Sequence, residues 1–140
     1  MPSDASEVLA TNQAFYDAFS SGDADAVDAL WAKLSPVACI HPGWEPLHGR
    51  DQVMASFRAI LRSPHPPQIH CERPAATVLG EVAFVICAEA IDDASLVATN
   101  VFVREEGDWK LVHHQAGPVS AARAEARPRA RTPGGSGMLN

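Results

Sequence analysis

A chain of 140 residues with 46% apolar side chains can bury one ordinary core, which fits a single domain better than several. Its net charge of −6 argues against nucleic acid as the main partner, and no run of about 18 apolar residues offers a membrane span. Met1 to Glu7 lacks the basic and apolar regions of a signal peptide, so a cytoplasmic protein is the expectation. Charge is unevenly spread. Residues 1–118 hold 7 basic and 16 acidic side chains, whereas 119–140 hold four arginines against Glu125. The three cysteines, Cys39, Cys71 and Cys87, form no C-x-x-C and lie in apolar runs, so they read as free buried thiols.

Asp4 to Ser21 reads as a helix. Asp4 and Glu7 have capping-box spacing, and Val8, Phe15 and Phe19 share one side, with Asn12 interrupting the stripe. Gly22 ends it. Asp23 caps a second helix, whose stripe Val27, Leu30, Trp31 and Leu34 runs until Pro36. Val37 to Ile40 is a short strand. It feeds His41-Pro-Gly-Trp-Glu-Pro-Leu-His-Gly49, a loop of breakers, aromatic and imidazole groups. A third helix spans about Arg50 to Arg62, with Val53, Phe57, Ile60 and Leu61 inward. Ser63 to Pro67 breaks the chain.

From there the period is that of strands. Gln68 to Leu79 is the first, with Pro74 implying an edge or a bulge. Val82 to Ile91 is nearly continuous in apolar residues and reads as interior. Ser95 to Arg104 and Trp109 to Gly117 flank Glu105-Glu106-Gly107-Asp108, a hairpin turn. Helices followed by strands predict an α+β fold with an antiparallel sheet. The domain spans residues 1–118. The segment 119–140, rich in Arg, Pro and Gly, reads as a mobile tail.

Three stretches carry a family resemblance. They are the paired helices joined by Ser21-Gly22-Asp23, the region Cys39-Ile-His-Pro-Gly-Trp44 with Leu47-His-Gly-Arg-Asp-Gln-Val-Met54, and Gly107-Asp-Trp-Lys-Leu-Val-His-His-Gln115. Over about residues 5–118 the chain resembles the nuclear transport factor 2-like superfamily in its SnoaL-like branch. The resemblance implies a cone: a curved antiparallel sheet wrapped around three N-terminal helices, the cystatin-like roll, with a cavity open at one end. It also implies pairing through the outer sheet face. Members include isomerases, dehydratases and cyclases as well as proteins that only bind partners.

Alternation along the last strand groups His113 and Gln115 with Trp109 and Leu111. The mid-strand Lys110 marks the other face as outer, so His113 and Gln115 are expected inward, unless a bulge flips them. His113 is then either a pocket base or a histidine bonded for structure. His41 opens the loop at the cavity mouth, where Trp44 is a wall, a lid or a plug. Glu89, inside an apolar strand, is an acid or base beside His113 if it faces in, and a dimer contact if it faces out. Asn100 could orient a ligand carbonyl.

Tyr16, the one tyrosine, resembles in placement the hydrogen-bond donor of ketosteroid isomerases. The acid that such chemistry places near the first strand is missing from Lys33-Leu-Ser-Pro-Val37. Tyr16 therefore also reads as a core residue with its hydroxyl at the surface. A metal site from Cys39, His41 and His113 is geometrically conceivable but lacks any ligand motif, and no nucleotide fingerprint occurs, so no cofactor is expected.

The expectation is a homodimer whose apolar cavity binds a small organic molecule. His113 and Glu89 would move protons in an isomerisation, dehydration or ring closure, with His41, Trp44, Asn100, Gln115 and Tyr16 lining the ligand. The alternative is a non-catalytic association module that works through its outer sheet face.

Overall fold

A computed structural model describes residues 2–120, so most of the arginine-rich tail lies outside the described residues. Three helices, α1 (Asp4–Ser20), α2 (Ala24–Leu30) and α3 (Arg50–Arg62), cover one face of a sheet. Its six strands are β1 (Ala38–Ile40), β2 (Leu47–His48), β3 (His70–Leu79), β4 (Val82–Ile91), β5 (Ala94–Glu105) and β6 (Asp108–Pro118). They lie in the spatial order β2-β1-β6-β5-β4-β3, giving the curved α+β architecture expected. All neighbours are antiparallel except β1 and β6, which run parallel.

Local chemistry explains most boundaries. Ser3, not Asp4, caps α1, its hydroxyl accepting the Ser6 N–H at 3.1 Å. Asp4 is drawn away into an ion pair with Arg104. Asp23 caps α2 through the Ala26 N–H at 3.0 Å. That helix stops at Leu30, short of the expected Pro36. Trp31 turns extended, and the next N–H, that of Ala32, donates to Leu111 on β6 at 2.8 Å. Leu34 therefore leaves the buried stripe and is 72% exposed. The two-residue strand β2 escaped the sequence pattern because it is shorter than any period.

Two irregularities shape the sheet. Pro74 sits in a bulge of the edge strand β3, between Glu72 and Ala75. A second bulge lies in β6, where Leu111 pairs with Phe102 and His113 with Val101, leaving Val112 as the extra residue. Beneath the sheet, Phe57 of α3 is ringed by Phe15, Phe19, Trp31 and His41, with ring centroids 5.0–6.2 Å away. This aromatic cluster ties all three helices to the sheet.

Candidate functional site

The bulge at Val112 decides which histidine looks inward. Side chains alternate along β6, and one extra residue swaps the faces beyond it. Trp109 and Leu111 remain buried, and past the bulge His114 and Ala116 are the buried pair. His113 and Gln115 turn to the other side, against expectation: His113 is half-buried and Gln115 exposed. The His113 Nδ1 instead bonds the Ala38 carbonyl of β1 at 3.0 Å. It therefore joins neither the pocket nor a metal site with Cys39 and His41. Among the described residues no three His, Cys, Asp or Glu converge to hold a metal.

Beneath the inner face lies a cavity of about 250 Å³. Its walls are aromatic and aliphatic: Phe15, Phe19, Phe57, Ile60, Ile91 and Leu96. Its polar floor is Tyr16, Glu89 and His114. Glu89 on β4 is only 1% exposed, and its Oε2 accepts the Tyr16 hydroxyl at 2.6 Å. The same Oε2 stands 3.9 Å from His114 Nε2. Tyr16 thus buries its hydroxyl inside the molecule, where a surface position was the bland expectation. The acid that stands beside Tyr16 comes from β4, not from Lys33–Val37.

Burial sets the ionisation of this floor. Desolvation raises the Glu89 carboxyl above its usual range, and the Tyr16 hydrogen bond only partly offsets it. Desolvation, with the neighbouring His41 and His113, lowers His114 to about 3. Both groups are thereby pushed toward their uncharged forms. Among the described residues, no Lys or Arg lines the cavity.

The mouth is built by the loop after β1. Trp44 N–H donates to the His41 carbonyl at 2.9 Å, closing a turn with Pro42 and Gly43 at its centre. Gly43 has φ of +81°, as the second central position of a type II turn requires. Trp44 is thus held as a rigid rim, 46% exposed, edge-on to the His41 ring at 4.8 Å. His41 itself is buried and lowered to about 4 by desolvation. The Ser56 hydroxyl donates to Val53 O at 2.7 Å, so at 2.8 Å it must accept from His41 Nε2. His41 thus bonds the scaffold through Nε2 while its ring lines the cavity.

Behind the floor, Asn100 bonds His114, Tyr16 and Asn12 and does not line the cavity. His114, Asn12 and Ser56 are the participants that the sequence reading left out. Asn12 did leave a signal: a polar residue inside an apolar helical stripe needs a buried partner.

The SnoaL-like domain family profile matches residues 8–120, and the chain belongs to that family, within the nuclear transport factor 2-like superfamily. It is 34% identical to a candidate dehydratase of the nuclear transport factor 2-like family from Streptomyces avermitilis. That match covers 84% of this chain and 97% of the other, with a TM-score of 0.77. It is 30% identical to a candidate calcium/calmodulin-dependent protein kinase type II association domain from Thiobacillus denitrificans. There the coverage is 80% and 94%, with a TM-score of 0.72. The F-box protein SKIP8 of Arabidopsis thaliana is 26% identical over 113 residues, 78% of this chain. The chain spans about half the length, 48%, of that curated relative.

Proposed function

We propose that the cavity binds a small uncharged organic molecule and that Glu89 and His114 transfer protons to and from it. One observation carries this reading: a buried acid and a buried imidazole, 3.9 Å apart, share the floor of one apolar cavity. A void of about 150 Å³ is large enough for benzene, so this one suits a single ring with short substituents. Carboxylate and phosphate ligands would meet no cation there, only Glu89.

The reaction that fits the two groups is elimination of water from a hydroxy-carbonyl compound. Glu89, whose carboxyl burial pushes toward the protonated form, donates its proton to the leaving hydroxyl as the C–O bond breaks. His114 takes the proton from the adjacent carbon, and the C–H electron pair becomes the new double bond. The product and water leave, and the proton on His114 returns to Glu89 across the short gap. A neutral imidazole with a lowered pKa is a weak base in isolation. The carboxylate formed beside it stabilises the imidazolium, so the loss at one group favours the gain at the other. The candidate dehydratase among the relatives supports this class of reaction.

A thermal-shift screen of small cyclic hydroxy-carbonyl compounds identifies a ligand, and turnover is then followed by the rise of conjugated-alkene absorbance. Glu89→Gln and His114→Ala are each expected to lower turnover by about 10²-fold or more, with His113→Ala unchanged. Undiminished turnover in His114→Ala would overturn the proposal.

A second reading concerns the outer face. Ile86 and Val97, 45% and 47% exposed, stand there beside Gln115 and His113. Pairing of two copies through this face is supported by the likeness to an association domain. Val97→Lys with Ile86→Lys should convert a dimer to a monomer in sedimentation velocity; a monomeric parent protein would dispose of the idea.

A further inference from the structure

Asn100 holds the cavity imidazole from behind. It is fully buried on β5 and meets three partners. Its Nδ2 donates to Asn12 Oδ1 at 2.8 Å and to the Tyr16 oxygen at 3.1 Å. Its Oδ1 lies 2.5 Å from His114 Nδ1. Asn12 in turn donates from Nδ2 to Cys71 Sγ at 3.5 Å, and Tyr16 gives its single hydroxyl hydrogen to Glu89.

Counting hydrogens leaves one arrangement that satisfies every atom. A primary amide has two N–H donors and one carbonyl. Two acceptors face the Asn100 nitrogen, and one ring nitrogen faces its oxygen. Rotating the amide by half a turn would press its carbonyl against the Asn12 carbonyl and the Tyr16 oxygen. Even with Asn12 rotated to match, one N–H of Asn100 would be left without a partner in a dry core, which folded proteins rarely leave so. The carbonyl therefore faces His114, and a carbonyl can only accept. His114 must carry its proton on Nδ1.

We infer that Asn100 is a positioning residue that fixes His114 in the Nδ1–H tautomer and so presents the bare Nε2 beside Glu89. Asn12 and Tyr16 act one step further back, holding the Asn100 amide the right way round. The inference deepens the proton-transfer reading and rests on it for its purpose. Without this clamp the ring is free to place its proton on Nε2, toward the Glu89 carboxyl, and the cavity loses its base. In the usual metal-free acid–base pair a carboxylate orients the imidazole. An amide does the same orienting without adding a negative charge, and so leaves the neutral ring neutral.

The test is long-range proton–nitrogen NMR on the full chain labelled at histidine nitrogens, at pH 7. His114 is assigned by comparison with His114→Ala. The parent protein is expected to show Nδ1 protonated and Nε2 bare. Asn100→Leu should move the proton to Nε2 in at least about half of the molecules. Asn100→Asp should keep it on Nδ1 and raise the titration midpoint of His114 by at least about one pH unit, a tenfold gain in proton affinity. A proton on Nε2 in the parent protein overturns the inference. So does a folded Asn100→Leu variant with the parent tautomer, or an unmoved midpoint in Asn100→Asp should the Leu variant not fold. None of these spectra needs a substrate. A protein with the Nδ1–H ring but no activity on any screened compound would sink the proton-transfer reading and leave the positioning role standing.

Discussion

Two buried glutamates, one at each end of the sheet, receive opposite treatment. Glu105, at the β5–β6 hairpin, accepts the N–H groups of Lys33 and Leu34, each at 3.0 Å. Burial alone would raise its carboxyl, but these N–H groups and Ser35 outweigh it and hold the carboxyl below its usual range. Arg104 beside it lies over the Trp109 ring and pairs with Asp4 and Glu7. That end is compensated, and it fastens the α2–β1 connection and α1 to the sheet. Glu89, at the cavity end, has one hydroxyl donor and desolvation prevails. The second acid, left short of donors, is the one that the proton-transfer proposal uses.

Changing pH should give the largest effect on this contrast. His41 and His114 sit near 4 and 3 when folded, below the ordinary 6.5. A base with a depressed folded value contributes stability that is complete above its unfolded pKa and is lost as pH falls toward the folded one. Between pH 7 and pH 4 these two histidines should therefore withdraw on the order of 5 kcal/mol, partly offset by Glu89, whose raised carboxyl regains stability as it protonates. The double variant His41→Phe with His114→Phe should flatten that slope in urea melts. An equally steep slope would place the acid sensitivity elsewhere.

A pair of substitutions separates the two acids directly. Glu105→Ala strands two N–H groups and should cost about 2–4 kcal/mol in urea denaturation. Glu89→Gln keeps an acceptor for Tyr16 and removes a group whose ionisation opposes folding. It should cost little at pH 5 and gain on the parent protein as pH rises, because a raised folded pKa penalises the native state above it. If Glu89→Gln instead weakens with rising pH, the carboxylate is compensated after all.

The cluster around Phe57 joins the two ends, so Phe57→Ala should lower stability by about 3–5 kcal/mol whatever the pH, which separates packing from ionisation. The smallest effect is expected at the rim. Gly43→Ala strains a left-handed turn and should cost about 1 kcal/mol in melting experiments while loosening Trp44. A Trp44 fluorescence spectrum unchanged in that variant would deny the rigid turn a part in shaping the mouth.

Much of this was legible in the sequence. The helices, the four long strands, the Pro74 irregularity and the hairpin turn follow from period and breakers, which are local properties. Glu89 and Tyr16 stand out as candidates, since an acid in an apolar strand and a lone tyrosine in a helical stripe are locally conspicuous. Their pairing was not legible, since it joins residues 73 positions apart. The choice of His114 over His113 was not legible either. Strict alternation chose His113, and a single extra residue at Val112 reversed it. That bulge lies where β6 takes up its parallel pairing with β1, from Ala38 and His113 onward, a register set by tertiary contact. Trp31 escaped its predicted helix for the same kind of reason, because β6 offered its backbone a partner.

The side-chain carboxyl carbon of Glu89, followed by carbon-13 NMR through a pH titration with Glu105 as internal comparison, tests the central claim most directly. The account predicts that Glu89 titrates above 4.5 while Glu105 titrates below it in the same sample. A Glu89 midpoint at or below that of Glu105 would mean that the acid beside His114 is already paired, and the cavity would hold no proton to give.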